Sequence, residues 1–118
     1  PLKNKILDLN ELNLDYIKFY INQGFLSNFK EILEIQPPIA TVSENEYKLL
    51  EPKLQWVTIH LGKSYKEHTL FRLGDIVNNP DLSQIFEELE AEGYSVGAVS
   101  PFNAENRLKN PAFFVPDP

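Results

Sequence analysis

Residues able to do chemistry gather most densely between Glu51 and Asp75, in the run EPKLQWVTIHLGKSYKEHTLFRLGD. Lys63, Lys66, Glu67, His68 and Arg72 crowd the part that follows Gly62. Glu67 and His68 have the residue types of an acid–base pair, but neighbours in sequence rarely face each other on regular structure, so a solvated surface is the plainer reading. Lys63 and Arg72 are the expected counter-charges for one anionic group. Their cluster is too small and interrupted to track a polyanion, and a formal net charge of −6 argues against a nucleic-acid partner.

The elements that must position these groups can be read from spacing. Pro52 suits the first turn of a helix, where its missing N–H costs nothing. Leu54, Val57 and Leu61 follow at helical spacing, and Gly62 can end the helix in the left-handed conformation. Upstream, Lys5–Leu9 reads as a short strand, with Asn10 or Asn13 capping a helix over 14–23 that Gly24 stops. Ser27 is the expected cap of a second helix carrying Phe29, Ile32 and Leu33, which Pro37-Pro38 terminates. Ile39–Val42 is short and β-branched and reads as a second strand, and Glu44–Leu50 as helical. Downstream, Asp81 and Gln84 have capping-box spacing ahead of a helix over 82–92, with Leu82, Ile85, Phe86 and Leu89 on one face and Gly93 as its stop. Tyr94–Ser100 reads as a third strand, and 101–118, with four prolines and three phenylalanines, as an irregular extended tail that needs a surface to cover.

This order predicts an α/β fold: a mostly parallel sheet flanked by helices in three layers, formed by 1–118 as a single domain or as the N-terminal fragment of a larger one. Strands at 6–9, 39–42 and 94–99 are expected to be parallel neighbours. Ligands of such sheets collect at the carboxyl ends of the strands, here Asp8–Glu11, Thr41–Glu44 and Ser100–Asn103. The competing reading makes Asn10 and Ser43 helix caps and the acids solvated.

Composition narrows the classes. The 118 residues, 42% hydrophobic, suffice for one core, and no apolar run reaches the ~18 residues of a membrane span. Cysteine is absent, which removes disulfides, thiolate metal sites and thiol nucleophiles. No signal peptide shows at the start, so a cytoplasmic setting is expected. The chain contains no Met, which suggests a trimmed beginning. Oligomeric state is left open. Isolated glycines make neither a phosphate loop nor a dinucleotide fingerprint, and there is no Gly-x-Ser-x-Gly elbow.

Three stretches in succession resemble the N-terminal part of the alkaline phosphatase superfamily of metal-dependent phosphatases, phosphodiesterases and sulfatases. Trp56–Gly62 followed by Glu67-His68 looks like its aromatic-led helix ending in Thr-Gly and then His-Gly. Leu89–Gly97 is similar to its helix–Gly–Tyr–strand unit. Asp15–Ile17 through Gly24–Phe29 looks like its first helix and following turn, with Ser27 in place of proline. The resemblance implies a divalent metal, zinc, calcium or manganese, in a full-length protein and a phosphate or sulfate ester as substrate. It points to Asp8, Asn10, Glu11 and Glu51 as the nearest metal-ligand positions. The family's nucleophilic hydroxyl belongs at the head of the aromatic-led helix, where this chain has Glu51 and Pro52; Thr41 and Ser43 are the nearest upstream hydroxyls. The family's remaining ligands come from a C-terminal part that this sequence lacks, and His60 and His68, eight apart, do not have ligand spacing. Two expectations of different class follow: an N-terminal part of an ester hydrolase, catalytically incomplete as given, or a non-catalytic interaction or anion-binding module. Any anion is expected between the end of the first strand and the Glu51–Gly62 region.

Overall fold

The structure, a computed structural model, describes residues 4–118 and divides into two compact units, Pro1–Val42 and Ser43–Pro118. In the first unit, helix α1 spans Leu14–Asn22. Asn13 starts it, its side-chain oxygen accepting from the N–H groups of Asp15 at 2.9 Å and Tyr16 at 3.2 Å, as expected of an asparagine cap. Gly24, at φ 87°, turns the chain, and Leu26, at φ 55°, leads into helix α2 at Ser27–Ile35. Ser27 is therefore the first helical residue and not the cap. The two helices pack as a hairpin, with the Tyr20 ring edge-on to Phe19 and Phe25. Ile17 is the buried residue of α1, and α2 has none.

The second unit opens with a 3-10 turn at Tyr47–Leu49, which is all that forms of the helix expected over 44–50. Helix α3, Pro52–Leu61, has proline in its first turn and closes on Gly62 in the left-handed conformation, as the sequence predicts. Its Leu54, Val57 and Leu61 are buried. Val57 and Leu61 join Leu70 and Ile76 in the core, with Leu82 packed against them; burying each such side chain is worth about 1.5–3 kcal/mol. The charged segment is not a plain loop. It forms a one-turn helix α4, Tyr65–His68, then a 3-10 turn at Asp75–Asn78. Ser64 and Glu67 cap α4 reciprocally, Glu67 accepting from the Ser64 N–H at 2.8 Å and hydroxyl at 2.7 Å. Helix α5 spans Ile85–Ala91, three residues later than the expected start, because Gln84 with Glu87 supplies the cap and not Asp81 with Gln84. Strands β1, Gly97–Val99, and β2, Phe113–Val115, pair in parallel with Gly97 opposite Phe113 and Val99 opposite Val115.

The predicted three-layer α/β architecture is not what forms. The described residues are mostly helical, and their single sheet has two short strands. Neither 6–9 nor 39–42 is a strand: Ile6, Ile39 and Val42 are 74%, 83% and 94% exposed. A run of four apolar residues makes a strand only where a neighbouring ladder takes up its N–H and C=O groups, and Pro37-Pro38 supplies extended backbone without donors. The third predicted strand shrinks to three residues and finds its partner in the tail read as irregular.

Candidate functional site

One convergence of polar groups in the second unit surrounds His68, which is 2% exposed. The chain leaves α3 through Gly62, makes the single turn of α4 and returns against α3, so that His68 Nε2 lies 3.1 Å from Thr58 Oγ1. On its other side, the Leu70 N–H donates to His68 Nδ1 at 3.0 Å. An Nδ1 that accepts carries no proton; the proton is therefore on Nε2 and is donated to Thr58. A threonine beside a histidine has the look of a nucleophile and its base, but a base must receive the hydroxyl proton and this nitrogen already holds one. Burial lowers the His68 pKa, with Glu44 and then Glu67 opposing the shift. A buried, neutral, doubly bonded imidazole orients backbone. The Tyr65 ring stands edge-on to it, and the Tyr65 N–H donates to Glu44 at 2.8 Å.

The segment after β1 is held in the second unit by Asn103, Gln84 and Arg107, in roles that sequence reading did not give them. Asn103 accepts from the Gly74 N–H at 3.0 Å and donates to the Lys53 carbonyl at 2.7 Å. Gln84, 1% exposed, binds Glu105 as a second strand would, donating to its carbonyl at 2.9 Å and accepting from its N–H at 3.0 Å. The Arg107 guanidinium donates to the carbonyls of Leu82 at 2.9 Å and of Ile76, and pairs with Glu105 and Glu87. Their types gave no signal, because amide and guanidinium groups serve backbone as readily as ligands.

The expected site residues fall as follows. Asp8, Asn10 and Glu11 lie exposed in irregular chain of the first unit, and Thr41 lies exposed near that unit's end. Ser43 is exposed in the second unit. Glu51 precedes α3 and pairs with Lys53 at 2.8 Å. Lys63 follows Gly62, about 16 Å along α3 from Pro52 at 1.5 Å per residue, so it belongs to the other end of the helix from Glu51. The Phe71–Gly74 turn does come to the head of α3: Lys53 Nζ sits 5.0 Å from the centre of the Phe71 ring, and Asn103 joins Gly74 to Lys53. Arg72 is exposed on that turn. The structure thus brings the backbone of Arg72, but not of Lys63, toward Glu51.

The donors named for a divalent metal are not gathered into one set. Among the described residues no three of His, Asp and Glu converge, and the Glu51 carboxylate is taken by Lys53. His60 is buried between the Trp56 and Phe86 rings, at 6.0 and 5.3 Å. A groove of about 470 Å³ runs beside the His68 turn, lined by Glu44, Lys48, Tyr65, Lys66 and Phe71 among others. Among the described residues no helix is long and apolar enough to cross a membrane. No family model matches this chain, and neither a curated protein nor a solved structure does.

Proposed function

We propose that this chain is a supporting, catalytically incomplete part of a phosphate- or sulfate-ester hydrolase-like protein, furnishing framework and not reacting groups. The observation that carries the reading is the unit from Trp56 to His68, one of the three runs on which the resemblance rests. It folds as a helix, a left-handed glycine and a returning histidine bonded to Thr58. With both ring nitrogens engaged, His68 fixes the path of the chain behind α3. The head of that helix presents Glu51 and Pro52, which have no hydroxyl to accept a phosphoryl group.

The test compares the isolated chain with the product of its entire natural reading frame, using an aryl phosphate, an aryl phosphodiester and an aryl sulfate with added zinc, manganese or calcium. Turnover by the entire product only is the expected result. Turnover by the isolated chain that disappears in Ser43→Ala would overturn the claim of incompleteness. An inert entire product would remove the hydrolase reading.

An inert entire product would favour a non-catalytic interaction module, which one feature supports. The α1–α2 hairpin leaves Tyr16, Phe19, Phe25, Ile32 and Ile35 exposed, apolar side chains of the kind that partner surfaces use.

A further inference from the structure

One imidazole ties the run from Gly62 to Gly74 back to α3. Both glycines are left-handed, at φ 61° and 80°, the backbone that lets the chain turn at each end of the run; the Gly62 N–H bonds Thr58 and the Gly74 N–H bonds Asn103. Between them, Thr69 sits at φ 56°, a conformation that a β-branched residue adopts only when its surroundings impose it. Thr69 is the left-handed C-cap of α4, its N–H donating to the Tyr65 carbonyl at 2.8 Å, and the residues on either side of it are held as well. His68 Nε2 holds Thr58 on α3, and His68 Nδ1 holds the Leu70 N–H. Leu70 is buried in the core beside Val57, Leu61 and Ile76.

We propose that the Gly62–Gly74 segment is an acid-released latch, shut by the neutral His68 imidazole and opened when that imidazole takes up a proton. The proton can add only at Nδ1, because Nε2 already carries one. Nδ1–H then points at the Leu70 N–H, two donors meet, and the bond that holds Leu70 is lost. Opening would relax Thr69 and withdraw Tyr65, Lys66 and Phe71 from the groove they line with Glu44. The ionisable groups facing the ring are Glu44 from the preceding segment, and Glu67 and Tyr65 on its own turn; α3 presents the uncharged Thr58. Both carboxylates favour the imidazolium and burial opposes it more strongly, so the ring stays neutral to a lower pH than a free histidine.

Linkage fixes the direction. The folded pKa lies below the unfolded one, so the latch is fully shut above about pH 6.5 and weakens as pH falls below it, with the opening constant rising by up to about tenfold per pH unit.

The test uses the full chain labelled with nitrogen-15. Long-range proton–nitrogen correlation should show the Nε2–H tautomer of His68 at neutral pH. Amide exchange, corrected for its intrinsic pH dependence, should show the Leu70 opening constant growing between pH 6.5 and 5 while that of Leu89 in α5 stays flat. His68→Gln, which has no titrating proton, should abolish this growth. An Nδ1–H tautomer, or a Leu70 opening constant that does not change across the range, would overturn the proposal. The tautomer measurement stands even if the variant fails to fold.

Discussion

Replacing Gln84 by leucine should unfasten the segment that follows β1. Leucine nearly fills the volume of glutamine, so the change leaves little cavity and isolates the loss of two hydrogen bonds, at 2.9 and 3.0 Å, to the Glu105 backbone. The abandoned N–H and C=O would each cost about 1–3 kcal/mol if sealed from water. Glu105 is half-buried, so water recovers part of that cost, and a total of about 2–4 kcal/mol is expected. For a unit of this size the melting temperature should fall by about 8 °C or more. Urea denaturation followed by the fluorescence of Trp56, the single tryptophan and a residue of α3, reads this unit directly. Glu105→Ala is the control, since it keeps the backbone pair and removes only a partner of Arg107. A loss below about 1 kcal/mol in Gln84→Leu, with the segment still docked, would refute the reasoning.

Further outcomes follow from the same contacts. Thr58→Val removes the acceptor of the His68 Nε2–H and should cost about 1–2 kcal/mol in urea denaturation, with faster Leu70 exchange. Thr69→Gly removes a side chain from a left-handed position and should slow Leu70 exchange at neutral pH; faster exchange would show that Thr69 is not strained. The Glu67 carboxyl, bonded by the Ser64 hydroxyl and N–H, the Asp75 carboxyl, bonded by the Arg72 and Phe71 N–H groups, and the Glu90 carboxyl, bonded by the Lys109 and Asn110 N–H groups, all have lowered pKa values. Their stabilisation is present above the ordinary carboxylate range and is lost as pH falls through it, so urea midpoints should decline between pH 5 and 3, less steeply in Glu90→Gln. Gly97→Ala places a Cβ 2.5 Å from the Phe113 ring, which must swing aside; the destabilisation should shrink markedly in a Phe113→Ala background, measured as a double-mutant cycle.

What the sequence disclosed was what neighbouring residues decide. Asn13, Pro52 and Gly62 set the ends of their helices through their own caps and dihedrals, and Leu54, Val57 and Leu61 showed their buried face by spacing alone. Strands were misread because pairing is a long-range property. Ile39–Val42 has the composition of a strand and no ladder, whereas Phe113–Val115 lies in a proline-rich tail and finds one at Gly97–Val99. The polar centre was half-visible: His68 stood out by type, but Thr58, ten residues earlier, became its partner only when Gly62 reversed the chain. Lys63 and Arg72, grouped by proximity in sequence, are placed by α3 and by the turn at Gly74 at different ends of the helix.

The pairing of β1 with β2 also bears on the order in which the chain folds. Parallel strands need a long connection, and here 100–112 carries no helix of its own; Asn103, Glu105 and Arg107 tie it to residues 20 to 50 positions earlier. None of those bonds can form before α3, the Gly74 turn and the start of α5 are in place. The chain between β1 and β2 is therefore expected to close late in folding, with its closure entropy spent after those elements have formed. Substitutions in β2 such as Phe114→Ala should then speed unfolding and leave the folding rate nearly untouched, whereas Val57→Ala in α3 should slow folding.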